Sequence, residues 1–198
     1  MTVPRPERPA ADPDRVPPGQ YVTARFPVLH VGDVPRFDPA DWDLAVDGLV
    51  ATERRWSWEE IQAMPTERVV VDIHCVTKWT MLDTEWEGVP LRALWERIAP
   101  LPGVTHVLVR AEQGYTANLP VDDLLREGSL LAHTYGGEPL TPEHGRPLRL
   151  VVPHLYFWKS VKWVRGLTLL AGDEPGFWER NGYHMYGDPW REQRFWGD

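Results

Sequence analysis

Cysteine is almost missing from this chain: its 198 residues hold one, Cys75. A single thiol excludes an intrachain disulfide framework, a local iron–sulfur cage and a paired-cysteine haem attachment. Positive charge is also scarce, with 21 Lys plus Arg against 29 Asp plus Glu and a formal net charge of −8. That balance argues against a general nucleic-acid surface, which needs concentrated positive charge, but leaves room for a local anion pocket. Apolar stretches are broken by charge and proline before they reach bilayer length, so no membrane span is expected. The opening MTVPRPERPAADPDRVPPGQ has neither a hydrophobic secretion segment nor a twin-arginine signal. Together these absences predict a cytoplasmic protein.

What is present supports one sizeable core, with 42% apolar residues. Residues 1–20, rich in proline and charge, read as a flexible N-terminal arm, and 21–198 as one domain. Asp43 to Val50 can begin a sheet. Ser57 and Glu60 form a capping box for a short helix whose Trp58, Ile61 and Met64 share a side. VVVDIHC supplies a buried strand ending at Cys75. After Pro90, residues Leu91, Leu94, Trp95 and Ile98 recur at helical spacing. Val104 to Arg110 reads as a strand, and Pro120 starts a short helix with Val121, Leu124 and Leu125 inward. Leu148, Leu150 and Val152 alternate with Arg149 and Val151, as in a strand between two environments. Val161 to Leu170 predicts another strand, in which Lys162 points away from Val161 and Trp163. The aromatic C-terminal section is too interrupted for one helix but apolar enough to fold back. The pattern predicts a mixed α+β fold without repeats.

Four separated segments carry the chemistry: DIHCVTKWTMLDTEWEGVPLRALWE, EQGYTANLP, YGGEPLTPEHGRPLRLVVP and FWKSVKWVRG. In order and composition they resemble the molybdopterin-binding catalytic domain of sulfite oxidases and related bacterial oxidoreductases. HGRPLR followed by WKSVKW, with a cysteine upstream at a strand end, is the most specific part. The resemblance runs from about Tyr21 onward and implies the mixed-sheet sulfite oxidase fold and a molybdenum–molybdopterin cofactor.

By that resemblance Cys75 is the metal ligand, a soft thiolate donor that coordination keeps deprotonated. His144, Arg149 and Lys162 are the implied cofactor-binding residues at its phosphate, where a guanidinium fork and a compact ammonium suit an anion. Thr116 is implied near the pterin; Arg25 and His30 either contact the pterin or its entrance or have a purely structural role. Tyr115 and Lys78 are candidates, with Cys75, for the catalytic pocket. Lys159 is either a further phosphate contact or an exposed lysine. His74, next to Cys75 in a strand, should point to the opposite face and read as a core or supporting histidine. His133, Tyr183 and His184 are candidates for support or the rim.

Sulfite-oxidising members carry an arginine-bearing stretch after the ligand cysteine, whereas this chain has CVTKWT. That departure bears on the substrate and leaves the cofactor reading intact. The implied activity is two-electron chemistry at molybdenum, with oxygen-atom transfer to or from a small sulfur-containing substrate and electrons exchanged with a separate partner. A chain this short lacks the dimerisation domain of sulfite oxidases, which favours a monomer. Three other readings are a pterin-binding protein with little turnover, a metal-free thiol enzyme using Cys75, and an aromatic ligand-binding surface.

Overall fold

A computed structural model describes residues 12–198. Its strands and helices, in chain order, are β1 (Tyr21–Val22), β2 (Asp43–Gly48), β3 (Arg54–Ser57), α1 (Trp58–Gln62), β4 (Glu67–His74), β5 (Trp79–Pro90), α2 (Leu91–Trp95), β6 (His106–Ala111), β7 (Thr116–Pro120), α3 (Val121–Leu124), β8 (Leu130–Tyr135), β9 (Glu138–Pro139), β10 (Arg149–Val151), β11 (Val164–Leu170) and α4 (Phe177–Arg180). The mixed α+β class predicted from the pattern is the observed one.

Two sheets form the body. One follows the order β1-β5-β8-β10, with β4 on β5 and β9 on β8; the other follows β3-β2-β11-β6-β7. Most pairs are antiparallel, but β1 with β5 and β11 with β2 run parallel. The long strand β5 is shared along its length: Thr80 to Gly88 pair with β4, and Trp86 to Pro90 with β8. Gly88 permits the second pairing, because a Cβ there would lie 2.1 Å from the carbonyl oxygen of Leu131.

Local sequence chemistry sets the short helices. The Ser57 hydroxyl accepts from the Glu60 amide while the Glu60 carboxylate accepts from the Ser57 amide, the reciprocal box that the spacing predicts. Pro90 and Pro120 stand immediately before α2 and α3 and bring a preset φ. Ile61, Leu91, Leu94 and Leu124 then enter the larger core, which fills the space among β2, β6, β7, β10 and β11. A smaller core gathers Ile73, Cys75, Trp79, Met81, Trp86, Leu130, Val151 and Phe157. Cys75 is therefore at the margin of packed apolar side chains.

Three local expectations are corrected. Strand β10 is buried at every position, so its alternation does not separate a wet face from a dry one. Lys162 and Trp163 precede β11, and Trp163 has φ 53°, which takes Lys162 out of any strand alternation. The predicted arm 1–20 divides: residues 1–11 lie outside the described residues, while 12–20 lie against the body. Arg15 pairs with Asp72 and Asp83, and Pro17 is buried. Among the described residues, no helix is long and apolar enough to cross a membrane.

Candidate functional site

Cys75 follows the last residue of β4 and opens the four-residue turn into β5. Its amide donates to the Trp79 carbonyl at 2.8 Å, and its own carbonyl accepts from the Lys78 amide at 2.9 Å. The Thr77 hydroxyl donates to the Cys75 Sγ at 3.1 Å. Burial pushes the thiol above its ordinary value, and the Thr77 hydrogen bond only partly opposes this. A free nucleophilic thiol needs the reverse shift, so this environment argues against the metal-free thiol enzyme. His74 behaves as the strand alternation requires. Its Nδ1 bonds the Thr80 hydroxyl at 3.0 Å, and burial pulls the imidazole down to about 4, so it is neutral at physiological pH.

The sulfur faces a cavity of about 380 Å³. Aromatic rings form much of its wall: Trp79, Phe157, Trp158, Trp178 and Tyr183 line it. Trp178 stacks on Tyr183 with centroids 4.8 Å apart, and Tyr183 meets Trp158 edge-on at 5.0 Å. The irregular segment after β1 adds Phe26, Leu29 and His30.

Arg149 and Lys162 also line this cavity. Arg149 is 1% exposed, and its guanidinium donates to carbonyl oxygens of His144 at 3.0 Å and Ser160 at 2.9 Å. Its Nε is buried without a partner, and its Cζ lies 4.4 Å from the centroid of the Phe157 ring. Burial draws it down to about 9, so it still carries charge at neutral pH. Lys162 donates to the carbonyls of Leu29 at 2.8 Å and Glu143 at 2.6 Å. Burial, then the nearby Arg149, pulls its ammonium down to about 7. Gly145, at φ 114°, lies between them: a Cβ would come within 3.0 Å of the Arg149 Cβ and 3.2 Å of the Lys162 Cβ. Two cations thus converge with neutral carbonyls as hydrogen-bond partners, an arrangement that a phosphate completes.

A model of the oxidoreductase molybdopterin binding domain matches residues 31–178. The chain belongs to this family. It is 54% identical over 182 residues to the uncharacterized oxidoreductase YuiH of Bacillus subtilis strain 168, covering 91% of this chain and 92% of that one. It is 31% identical to the protein-methionine-sulfoxide reductase catalytic subunit MsrP of Gluconobacter oxydans strain 621H, covering 76% of this chain but 54% of that protein. The chain thus spans about half of MsrP. The sulfane dehydrogenase SoxCD of Paracoccus pantotrophus shares the fold, with a TM-score of 0.66 at 23% identity over 75% of this chain and 42% of that one. Membership implies a molybdenum–molybdopterin cofactor. The residues present fit it: a soft sulfur donor opens onto the cavity, and the lining also carries a buried, incompletely bonded guanidinium.

The relatives contradict the predicted cytoplasmic placement. The named relatives of the molybdopterin-binding family, MsrP and SoxCD, are extracytoplasmic catalytic subunits. A lone cysteine, unable to form an intrachain disulfide in any compartment, never distinguished the two.

Of the predicted site residues, Cys75, Tyr115, His30, Arg149, Lys162 and the rim candidate Tyr183 come together on one cavity. The others do not line it. Lys78 is exposed in the turn at φ 75°. Arg25 is exposed, its amide accepted by the Thr23 hydroxyl at 3.1 Å. Thr116 opens β7 and accepts from Arg180 at 3.1 Å. His144 stacks on the cavity-lining Phe26 at 4.2 Å and holds Arg149 through its carbonyl. Tyr115 faces the cavity, but its hydroxyl donates to the Trp158 carbonyl at 2.9 Å, and burial pushes the phenol well above its ordinary value. Lys159 is neither exposed nor on the cavity: it is 1% exposed and paired with Glu179. Sequence reading passed over Thr77, Phe157 and Ser160. The hydroxyl two residues after the cysteine in CVT was the available signal for the first.

The low value of Lys162 has a measurable consequence. Below about 7 the ammonium is charged, and at pH 8 most of it is neutral. An anion beside it favours the charged form, so binding at pH 8 should take up roughly one proton or less per site. Calorimetric titration of inorganic phosphate into cofactor-free chain, in two buffers of different ionisation enthalpy, measures this uptake. It should vanish in Lys162→Met.

Proposed function

We propose that this chain is a molybdopterin-dependent oxidoreductase that transfers an oxygen atom to or from a small sulfur-containing substrate and exchanges electrons with a separate redox partner. One observation carries the reading. The Cys75 sulfur opens onto an aromatic-walled cavity that also holds Arg149 and Lys162, both hydrogen-bonded to neutral carbonyls. When bound, the molybdenum–pterin group supplies two-electron redox chemistry. Cys75 would hold the metal, and Arg149 and Lys162 the phosphate, with Gly145 leaving room between them. His30 stands at the entrance segment.

The protein's own contribution is binding and exclusion of water. Trp79, Trp158, Trp178 and Tyr183 give a wall whose rings make favourable contacts with divalent sulfur. Tyr115 supports this wall by holding the Trp158 backbone, and its proton is committed to that carbonyl. A sulfur substrate agrees with the names of MsrP and SoxCD. Reduction of a sulfoxide consumes two electrons and two protons and releases one water, and the opposite direction returns them. The catalytic-subunit description of MsrP supports a separate electron partner for this chain.

The test is single-turnover spectroscopy on cofactor-loaded protein. Reduced protein mixed with methionine sulfoxide should be reoxidised with stoichiometric thioether formed. Oxidation of sulfite by the oxidised protein is the companion measurement for the other direction. Absence of any metal redox change with both substrates contradicts the proposal.

A further inference from the structure

The stretch matched by the family model begins at residue 31, yet residues 12–22 grip the hairpin that carries Cys75. Arg15 donates to both carboxylate oxygens of Asp72, through Nε at 2.8 Å and Nη2 at 2.6 Å, and also to Asp83 at 2.6 Å. Asp72 lies where the β4–β5 register shifts, and it accepts from the Asp83 amide at 2.9 Å. Further along, β1 pairs parallel with Trp79 and Thr80. The amides of Tyr21 and Thr23 donate to the carbonyls of Lys78 and Thr80, both at 2.9 Å. The arm therefore fastens the hairpin at its bulge and again at its tip.

Gln20 stands at the tip. Its Nε2 donates to the Cys75 carbonyl at 3.3 Å, and its Oε1 accepts from the Thr80 hydroxyl at 2.7 Å. The same hydroxyl bonds His74 Nδ1, so one carboxamide links the residues on both sides of the turn. β4 has β5 as its sole strand partner among the described residues. Without the arm, the turn holding the sulfur would rely on its own few ladder bonds. Arg194 secures the arm from behind by donating to the Pro18 carbonyl at 3.3 Å.

We propose that Gln20 is a positioning residue for the ligand sulfur: by tying the Cys75 carbonyl to the Thr80 hydroxyl, it fixes the direction in which the Cys75 side chain leaves the hairpin. This rests on Cys75 being the molybdenum ligand. The arm, although outside the matched stretch, is then part of the site.

Full-length chain carrying Gln20→Ala or Arg15→Ala tests this in two states. In protein from molybdate-free cultures, the Cys75 and Lys78 amides should exchange roughly fivefold or more faster in Gln20→Ala, while amides of β6 and β11 keep their rates. Arg15→Ala should change the same amides in the same direction, since it releases the arm. In molybdenum-loaded protein, Gln20→Ala should retain near wild-type metal but shift the sulfur-to-metal absorption band and the electron paramagnetic resonance signal, which report sulfur–metal geometry. Unchanged tip exchange overturns the brace, and faster exchange with unchanged spectra overturns sulfur positioning. If wild-type chain takes up no molybdenum, the ligand reading fails, while the exchange measurement still decides the brace.

Discussion

Replacing Glu179 by alanine should lower the stability of the chain by about 3–5 kcal/mol, because it leaves an unpaired ammonium inside the fold. Glu179 is 0% exposed and its Oε1 lies 2.6 Å from the Lys159 Nζ. That ammonium also donates to the Asn118 carbonyl at 3.0 Å, the Asn118 side chain at 2.7 Å and the Met185 carbonyl at 2.7 Å. All three remaining acceptors are neutral. Burial already lowers the Lys159 ammonium, and Glu179 is the main group opposing that. A lysine lowered in the fold binds fewer protons than in the unfolded chain as pH approaches 10.5, so its cost is relieved as pH rises. The deficit of the Glu179→Ala chain should therefore shrink toward alkaline pH. Thermal unfolding should show a midpoint roughly 6–20 °C lower near neutral pH. The double variant Lys159→Met with Glu179→Leu, which removes both charges, should lose much less. Equal losses in the single and double variants would assign the effect to packing. The loss also reaches the cavity, since the Trp158 indole donates to Glu179 at 2.8 Å and the Tyr115 hydroxyl is bonded to the Trp158 carbonyl.

Nothing near Lys159 in sequence announces this pair. FWKSVKW reads as a strand edge with two lysines, and the matching carboxylate lies in α4, across the aromatic C-terminal section. The full burial of Arg149 is hidden for a similar reason. Its neighbours Leu148 and Leu150 suggest one buried face, but β10 lies between two packed layers and has no wet side. Lys162 was legible as a cation near Arg149, whereas its position in a strand was not, because the left-handed Trp163 breaks the chain direction just before β11.

Elements whose signal is local were readable: the Ser57–Glu60 box, the two proline-started helices and the strand ending at Cys75. Strand β5 was not. Asp83, Glu85 and Glu87 interrupt its apolar residues, Asp83 has φ 54°, and bulges at Val71/Ile73 and Glu87/Gly88 shift the register on both sides. Long-range pairing, not periodicity, makes it the longest strand of its sheet. The arm was misread for a related reason. Proline and charge look like a solvated tail, but Arg15 finds Asp72 and Asp83 on a hairpin some sixty residues away.

Serine at position 75 should nearly abolish molybdenum retention. Its oxygen is a harder donor than sulfur, and its proton is far more tightly held, so the metal loses the soft ligand that suits it. The surrounding fold should tolerate the change, because the atom replaced is at the margin of the smaller core and the Thr77 hydroxyl can bond an oxygen as well as a sulfur. Metal analysis and pterin fluorescence on wild type and Cys75→Ser, expressed and purified in parallel with molybdate, decide the matter. The site described here predicts about one molybdenum per wild-type chain and less than roughly a tenth of that in the variant. Molybdenum held at wild-type stoichiometry by the serine chain would contradict it.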